Sequence, residues 1–310
     1  FLYIRPILKH ILVPFLIFLD ILIFPFIIFR TWQFNPDIIY SNTSAENSGI
    51  FLAKILGKKH VWHIREFMKN DYKYYFIFGE KNKSRLINKS NKSIYVSNSV
   101  LNAVHEKNDE HKHIVIYNGI DSGISELSKL KVDLSTPVFG MVGVLDSAKG
   151  HELAFRYFKS LLDNLPNSKL FIYGDKEGGY KDKLVSIANS LDISDAIEFK
   201  GFVNSQKEIY SSIDVLLMFS RSEGFGRVTI ESSLYGIPVI GYDNAGTSEL
   251  IEDKQSGCLF YDKDEFISSV SFLMNQKNYN TVRKNAFNRS VLKYNVDLYC
   301  TKVYKTVSSL

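Results

Sequence analysis

The chain of 310 residues is long enough for two domains of ordinary size, and 45% of its residues are apolar, which suffices for a core in each. This composition excludes a disordered protein, and no solenoid-like repeat is present. The formal net charge is +5. The basic and aromatic residues form no nucleic-acid-reading motif, and the histidines form no zinc-protease pattern, so neither a nucleic-acid partner nor a protein-held metal is expected. Cys258 and Cys300 lie far apart, which favours two structural thiols in a reducing compartment.

The chain begins with Phe1, and residues 11–29 are nearly all apolar. The length permits a membrane span, but Pro14, Asp20 and Pro25 argue against a simple one. A basic region followed by a small-residue cleavage site is lacking, so a signal peptide is not indicated. Three interpretations remain open, in order of preference: a buried helix pair of the first domain, a segment in the membrane interface, or a true span.

From residue 37 onward, short strands rich in β-branched and aromatic residues alternate with helices. The strands predicted in the first half begin at Asp37, His60, Lys92 and Ile114, with a helix over 48–56. Residues 58–92 hold ten Lys and Arg against three acids, which indicates either a solvated face or a patch for anionic lipid or a phosphate-bearing acceptor. The polar stretch 121–136 is interpreted as a connection between domains.

The second half continues the alternation. Its predicted strands begin at Pro137, Leu170, Ile197, Asp214 and Pro238, and its predicted helices cover 150–165, 180–190, 227–235 and 296–308. Such alternation predicts parallel sheets with helices on both faces. Open sheets of this kind bind ligands beyond the carboxyl ends of their strands, so functional residues are expected there.

Two strand ends of the second half carry groups suited to an anionic ligand. After the strand at 137–142, Gly143 forms a turn and Lys149 precedes a helix start, which together resemble a phosphate cradle. After the strand at 214–220, a Gly-Phe-Gly turn separates Glu223 from a helix that carries Glu231. Glycines let a ligand approach the backbone, and two carboxylates flanking such a turn are hard to explain by packing. The alternative is a helix-terminal charge together with a solvated carboxylate.

Two further strand ends are less specific. Thr247 is a plausible helix N-cap, and the N–H of Gly246 beside it is expected to be free for a ligand. Phe202 follows a strand and could edge a nucleobase pocket.

The stretch 223–231 resembles the E-x7-E motif of the family-four retaining glycosyltransferases, the glycosyl transferases group 1 family. Residues 199–260 resemble that family throughout, with G-F-V, D-V-x-x-x-x-S, E-G-F-G, G-x-P-V-I-G and G-T-x-E in order. Lys149-Gly150 resembles its K-G motif, residues 116–121 its N-G-[VI]-D segment, and residues 61–66 a strand end of its first domain. The resemblance covers most of residues 37–300.

The resemblance implies a GT-B fold, in which two Rossmann-like domains face each other across a cleft. It implies an acceptor-side domain over 1–127, a nucleotide-sugar-binding domain over 128–292, and a C-terminal helix over 293–310 that packs back on the first. The implied catalytic residues are Glu223 and Lys149, to which Arg227 is added as a hypothesis. The implied donor-binding residues are Gly143, Phe225, Gly226, Glu231, Gly246 and Thr247, and Phe202 is added as the candidate contact for the base. Arg65 and Glu66 are implied on the acceptor side.

Three departures from the family pattern stand out. The family usually has arginine after the first phosphate-loop glycine, where this chain has Val144, and Arg227 is hypothesised to replace that cation. Arg65 stands where many relatives have histidine. The expected opening strand and glycine-rich loop are not found before Arg30, which suggests that the chain lacks its native beginning.

The implied activity is metal-independent transfer of a hexosyl group, with retention, from a nucleotide-diphosphate sugar of UDP type, without a further cofactor. The acceptor is expected to be a glycan or a lipid-linked sugar in surface-polysaccharide assembly. The enzyme is expected in the cytoplasm, with an anionic membrane surface as a further partner at the inner face. Two alternatives remain open: a sugar-nucleotide epimerase of the same fold, and a nucleotide-sugar-binding protein without catalysis.

Overall fold

The computed structural model of the chain describes residues 9–67, 79–105, 111–121, 123–124, 126–127, 132–176 and 178–310. Two compact units are present. The first comprises Phe1–Tyr117 together with Tyr299–Leu310, and the second comprises Asn118–Leu298. Both units are α/β with parallel sheets, which confirms the predicted fold class.

The first unit contains a four-stranded parallel sheet in the order β1-β2-β3-β4. Its elements are α1 (Lys9–Phe34), β1 (Ile38–Ser41), α2 (Ser48–Leu56), β2 (Lys59–Ile64), α3 (Glu80–Ile87), β3 (Lys92–Tyr95), α4 (Asn98–Val104) and β4 (His113–Val115). A small core of Val61, Ile94 and Ile116 is covered by side chains from the end of the chain, among them Tyr299 and Val303.

The N-terminal apolar segment forms the single helix α1, so the preferred expectation of a buried helix pair is wrong. From Phe18 onward, where side chains are described, most of them are exposed. Only Leu19, Phe24, Ile28 and Thr31 are half-buried, and the last three lie along one stripe of the helix. Apolar residues lie on every face of this described part of the helix, so most of them stay exposed. Among the described residues, none of the helices has the length and apolar character that crossing a membrane requires.

The basic segment 58–92 lies partly outside the described residues. Within the described part, Lys83 fits neither a solvated face nor a surface patch, because it is only 5% exposed. Its Nζ lies 4.4 Å from the centre of the Trp62 ring and donates to the carbonyl of Ser44 and to Asn47 Oδ1. This lysine therefore braces the loop that follows β1.

The second unit contains a six-stranded parallel sheet in the order β10-β9-β8-β5-β6-β7. Its elements are β5 (Val138–Val142), α5 (His151–Leu162), β6 (Lys169–Tyr173), α6 (Tyr180–Ser190), β7 (Ile197–Gly201), α7 (Gln206–Ser211), β8 (Val215–Met218), α8 (Arg227–Leu234), β9 (Val239–Tyr242), α9 (Ala245–Leu250), β10 (Cys258–Phe260), α10 (Lys263–Leu273) and α11 (Gln276–Lys293). The final helix, α12 (Val296–Ser308), runs from this unit into the first.

Both faces of the second sheet are buried. On β8, Leu217 packs into one core cluster, whereas its neighbours Leu216 and Met218 pack into another. Successive strand residues point to opposite faces, so a doubly covered strand must be apolar throughout. This burial explains the continuous apolar run of β8 and holds the carboxyl ends of β5, β6 and β8 side by side.

The division between the units differs from the boundaries expected at 127/128 and 292/293. The N–H of Ile120 donates to the carbonyl of Tyr294 over 2.8 Å. Leu127 packs so closely on Gly236 that a Cβ there would lie 2.5 Å from the leucine Cδ1. Residues after Tyr117 therefore already belong to the second unit.

Candidate active site

Two glycines at adjacent strand ends leave a backbone surface without side chains beyond the sheet of the second unit. Gly143 follows β5, and its N–H donates to the carbonyl of Tyr173 over 2.9 Å. Gly174 follows β6, and a Cβ on it would lie 1.9 Å from the carbonyl oxygen of Gly143. Sequence reasoning identified Gly143 but missed Gly174. The available signal was a glycine directly after the neighbouring strand.

Lys149 is held above this surface by a short 3-10 turn. The Asp146 carboxylate caps the turn by accepting the N–H of Ala148 over 3.0 Å. The lysine stem crosses Gly143, where an added Cβ would lie 3.7 Å from its Cε. Gly150 has φ +76°, and a Cβ there would lie 2.3 Å from a carbonyl oxygen of the β8 end, so this position requires glycine.

The ends of β5 and β8 meet in one ion pair. Lys149 Nζ lies 2.8 Å from Glu223 Oε2, although the residues are 74 positions apart in the chain. Both side chains are partly exposed. Partly exposed ion pairs are weak and their members exchange partners readily, so the ammonium remains available to an arriving anion.

The turn after Glu223 is anchored by an aromatic side chain. The ring of Phe225 is buried and packs edge-on against Tyr294, with centroids 6.0 Å apart. Gly226 then adopts φ +92° directly before α8. The first amides of a helix lack helical acceptors and carry partial positive charge, so this turn presents its backbone as an anion-binding surface.

Gly246 supports that turn from beneath. The expectation that its N–H is free is wrong, because the N–H donates to the carbonyl of Glu223 over 2.8 Å. A Cβ on Gly246 would lie 2.7 to 2.9 Å from the carbonyl oxygens of Glu223, Gly224 and Phe225. The sequence pattern could not distinguish a glycine that meets a ligand from one that meets backbone.

Thr247 is not an N-cap, because α9 begins at Ala245 and Asn244 occupies the cap position. The Thr247 side chain is buried within the first turn of that helix. The Asn244 side chain instead donates through Nδ2 to the carbonyl of Arg221 over 2.7 Å. Asn244 thus helps fix the start of α9 against the segment that follows β8.

Glu231 lies one turn further along α8 and is held at both oxygens. Arg227 donates to Oε1 over 3.2 Å, and the Tyr210 hydroxyl donates to Oε2 over 3.3 Å. Burial, followed by the nearby Glu231 charge, raises the pKa of Tyr210 well above its ordinary value, so the phenol remains a donor. The sequence carried no signal that links Tyr210, which lies on α7, to Glu231.

Two further positions, Phe202 and Val144, follow β7 and β5, which are separated in the sheet by β6. Phe202 follows Gly201 at the end of β7 and is 77% exposed, so its ring face is accessible. Val144 follows β5 and is also exposed, at the place where the family pattern has arginine. Arg227 is the residue that was hypothesised to replace this cation. In the structure, its side chain is directed towards Glu231.

In the first unit, Arg65 and Glu66 follow β2. Glu66 Oε1 accepts from Thr43 Oγ1 over 2.5 Å and from the N–H and hydroxyl of Ser44 over 2.8 and 2.9 Å. Arg65 donates to Asn42 Oδ1 over 3.4 Å. Both side chains therefore shape the loop after β1, and Glu66 acts there as a multiple acceptor. Within the ranges that the structure describes, no three His, Cys, Asp or Glu side chains are grouped to hold a metal ion.

The sequence matches the model of the family described as glycosyl transferases group 1 over residues 125–289, just over half of the chain. An uncharacterized glycosyltransferase of Methanocaldococcus jannaschii is 33% identical over 168 residues, which cover 50% of this chain and 42% of the relative. An N-acetylgalactosaminyltransferase of Campylobacter jejuni, named for a diphospho-undecaprenol substrate, is 31% identical over 147 residues, covering 47% and 39%. The matched part thus spans about two fifths of these curated relatives.

Solved structures share the fold over most of the chain. Anabaena HepE in complex with UDP superposes with a TM-score of 0.80 at 22% identity, covering 93% of this chain and 82% of HepE. The pneumococcal O-GlcNAc transferase GtfA in complex with UDP and GlcNAc superposes with a TM-score of 0.71 at 20% identity, covering 92% and 59%. At these identities the likeness establishes the GT-B fold.

Proposed function

This chain belongs to the glycosyl transferases group 1 family, and on that premise we propose that it is a retaining glycosyltransferase. It moves a sugar from a nucleotide-diphosphate sugar to a hydroxyl of a glycan or lipid-linked acceptor. The observation that carries the proposal is the meeting of Lys149 and Glu223 above the glycine surface of Gly143, beside the start of α8. A cation, a carboxylate and helix-terminal amides converge there at the carboxyl edge of an open parallel sheet.

Each group has a task in such a transfer. The bond between the anomeric carbon and the diphosphate oxygen breaks, and negative charge develops on the leaving diphosphate. Lys149 and the backbone amides around Gly226 stabilise that charge without reorganisation. Glu223 accepts hydrogen bonds from hydroxyls of the donor sugar. The acceptor oxygen forms its new bond on the face that the diphosphate leaves, and its proton passes to a phosphate oxygen, so the step requires neither a protein base nor a metal.

The donor is proposed to be a UDP sugar of the hexosyl type, bound without a further cofactor. Glu231 would accept the ribose hydroxyls, and the exposed ring of Phe202 would contact the base. Support for uridine comes from the complexes of HepE and GtfA with UDP.

The acceptor is proposed to lie at the inner face of a membrane, in surface-polysaccharide assembly. The apolar surface of α1 is exposed through Phe26 and Trp32, and Arg30, Lys54 and Lys59 are exposed on α1, on α2 and at the start of β2. Apolar surface beside basic side chains suits an anionic lipid interface. The diphospho-undecaprenol in the name of the Campylobacter relative is an acceptor of this kind.

The test is incubation of the protein with a panel of nucleotide-diphosphate sugars, with and without membrane extract, followed by analysis of nucleotide release and of the product anomer. We expect release of one nucleoside diphosphate that depends on the extract, and a product with the donor's anomeric configuration. An altered sugar nucleotide formed without acceptor would identify an epimerase instead. Binding without turnover under every condition would identify a non-catalytic binding protein.

Replacing Arg227 with alanine tests whether this residue supplies the cation that Val144 lacks. We expect kcat to fall about tenfold, which corresponds to roughly 1.4 kcal/mol of transition-state stabilisation, with a smaller change in the donor KM. Arg227 must exchange Glu231 for the diphosphate, and a weak exposed pair permits this. Steady-state kinetics provide the measurement, and Arg156→Ala, an exposed change on α5, is the control. Unchanged turnover in Arg227→Ala would show that Arg227 does not take part in the mechanism.

A further inference from the structure

A buried tyrosine lies behind the carboxylate of Glu231. Tyr210 is only 1% exposed, and its ring stacks on Tyr235 with centroids 5.1 Å apart and planes at 28°. Tyr210 belongs to α7, whereas Tyr235 ends α8. The stack therefore fixes the phenol relative to the helix that carries Glu231.

The two oxygens of Glu231 have unlike partners. Oε2 accepts from the buried hydroxyl of Tyr210, which also lies 3.5 Å from the carbonyl of Val228. Oε1 accepts from Arg227, whose side chain is 64% exposed, compared with 12% for Glu231 itself. An exposed ion pair between residues four apart on a helix contributes little to stability, so it is easily exchanged. The hydrogen bond from Tyr210 is harder to exchange, because the phenol is buried and its ring is stacked. Oε1 is thus the exchangeable oxygen and Oε2 the fixed one.

We propose that Tyr210 is a positioning residue that makes the donor site selective for ribonucleotides. Tyr210 holds Oε2, and this sets the plane of the carboxylate, so that Oε1 is presented to the ribose diol when Arg227 turns away. The phenol does not touch the ligand, since it lies beneath the carboxylate in the interior. The inference rests on the proposed function, because it requires a nucleotide at Glu231.

A fixed carboxylate contributes more binding free energy through its hydrogen bonds to the ribose diol than a mobile carboxylate does. A side chain that is already ordered loses less conformational freedom when its hydrogen bonds to the ligand form. Removing the Tyr210 hydroxyl therefore weakens only the part of the affinity that depends on the ribose hydroxyls. Lys149, which faces the diphosphate, and Phe202, which would contact the base, lie at the ends of other strands and are unaffected.

The experiment is calorimetric titration of UDP and of 2′,3′-dideoxyuridine diphosphate into wild type, Tyr210→Phe and Tyr235→Phe. Both variants keep the stacked rings, but only Tyr210→Phe removes the hydroxyl that reaches Glu231. We expect wild type to bind UDP at least about tenfold more tightly than the dideoxy compound. In Tyr210→Phe, affinity for UDP falls about fivefold while affinity for the dideoxy compound stays within about twofold, so the selectivity ratio drops. Tyr235→Phe keeps the wild-type ratio.

An unchanged selectivity ratio in Tyr210→Phe, whether both ligands bind as in wild type or both bind equally less tightly, would overturn the positioning role. It would leave the proposed function standing. A folded wild type that binds no nucleoside diphosphate would overturn the proposed function, and the inference with it. Thermal unfolding of each variant, followed by circular dichroism, establishes that the compared proteins are folded.

Discussion

Lys149→Gln is expected to lower kcat by about two to three decades while the protein stays folded. Lys149 Nζ is the cation held over Gly143 at the strand ends, 2.8 Å from Glu223. Glutamine keeps most of the stem but removes the charge that would face the leaving diphosphate. Loss of one preorganised group that stabilises developing charge typically costs roughly 3 to 4 kcal/mol. The donor KM should change less, because the charge grows as the bond breaks.

Steady-state kinetics with saturating acceptor give the comparison. Lys183→Gln is the matched control, since Lys183 also pairs with a partly exposed carboxylate, that of Glu152, but on α6. The control should retain kcat within about twofold, as expected for an exposed pair. If Lys149→Gln also stays within that range, the leaving group is stabilised elsewhere and the proposed mechanism is wrong.

Gly246→Ala is expected to lower kcat/KM about a hundredfold and the free energy of unfolding by about 1–3 kcal/mol. The added Cβ would lie 2.7 to 2.9 Å from three carbonyl oxygens of the turn 223–225. Backbone on both sides leaves little room for adjustment, so the turn must shift away from α9. A displacement of the turn moves Glu223 and the amides beside it, and errors of about 1 Å in such groups can cost two decades in rate.

Ala245→Gly provides the control at the preceding position. Ala245 has φ +51°, a left-handed conformation that glycine adopts more easily, and the change adds no atoms. We expect wild-type kinetics and unchanged or slightly higher stability. Full activity in Gly246→Ala, measured beside that control, would contradict the supporting role assigned to Gly246.

The pairing of Lys149 with Glu223 follows from a rule of sheet topology that can be applied to the sequence alone. Both residues lie in the loops that follow apolar runs typical of buried strands, and the carboxyl ends of parallel strands share one edge. The helix at Ser48–Leu56 and the helix at Val296–Ser308 were likewise predicted with the bounds observed. For the strands of the second sheet, local patterns were sufficient because burial on both faces leaves a continuous apolar signature.

Other features depend on contacts between distant segments, which local patterns do not encode. The burial of α1 was overestimated because its composition resembles that of a core helix, whereas most of its side chains described from Phe18 onward are exposed. Gly246 was assigned a free N–H because its acceptor, the Glu223 carbonyl, lies 23 residues earlier. Tyr210 was missed because nothing in α7 marks a partner on α8. β10 was missed because its three residues are fixed as a strand by pairing with β9.

The central claim is that the carboxyl edge of the second sheet binds a nucleoside diphosphate through Glu231 and its neighbours. Calorimetric titration of UDP and other nucleoside diphosphates into wild type and Glu231→Ala tests it most directly. We predict that wild type binds one molecule of UDP and that Glu231→Ala weakens this binding by about ten- to a hundredfold, since hydrogen bonds from the ribose to a carboxylate are lost. A folded wild type that binds none of these nucleotides, or a Glu231→Ala variant that binds UDP as tightly as wild type, would contradict the account.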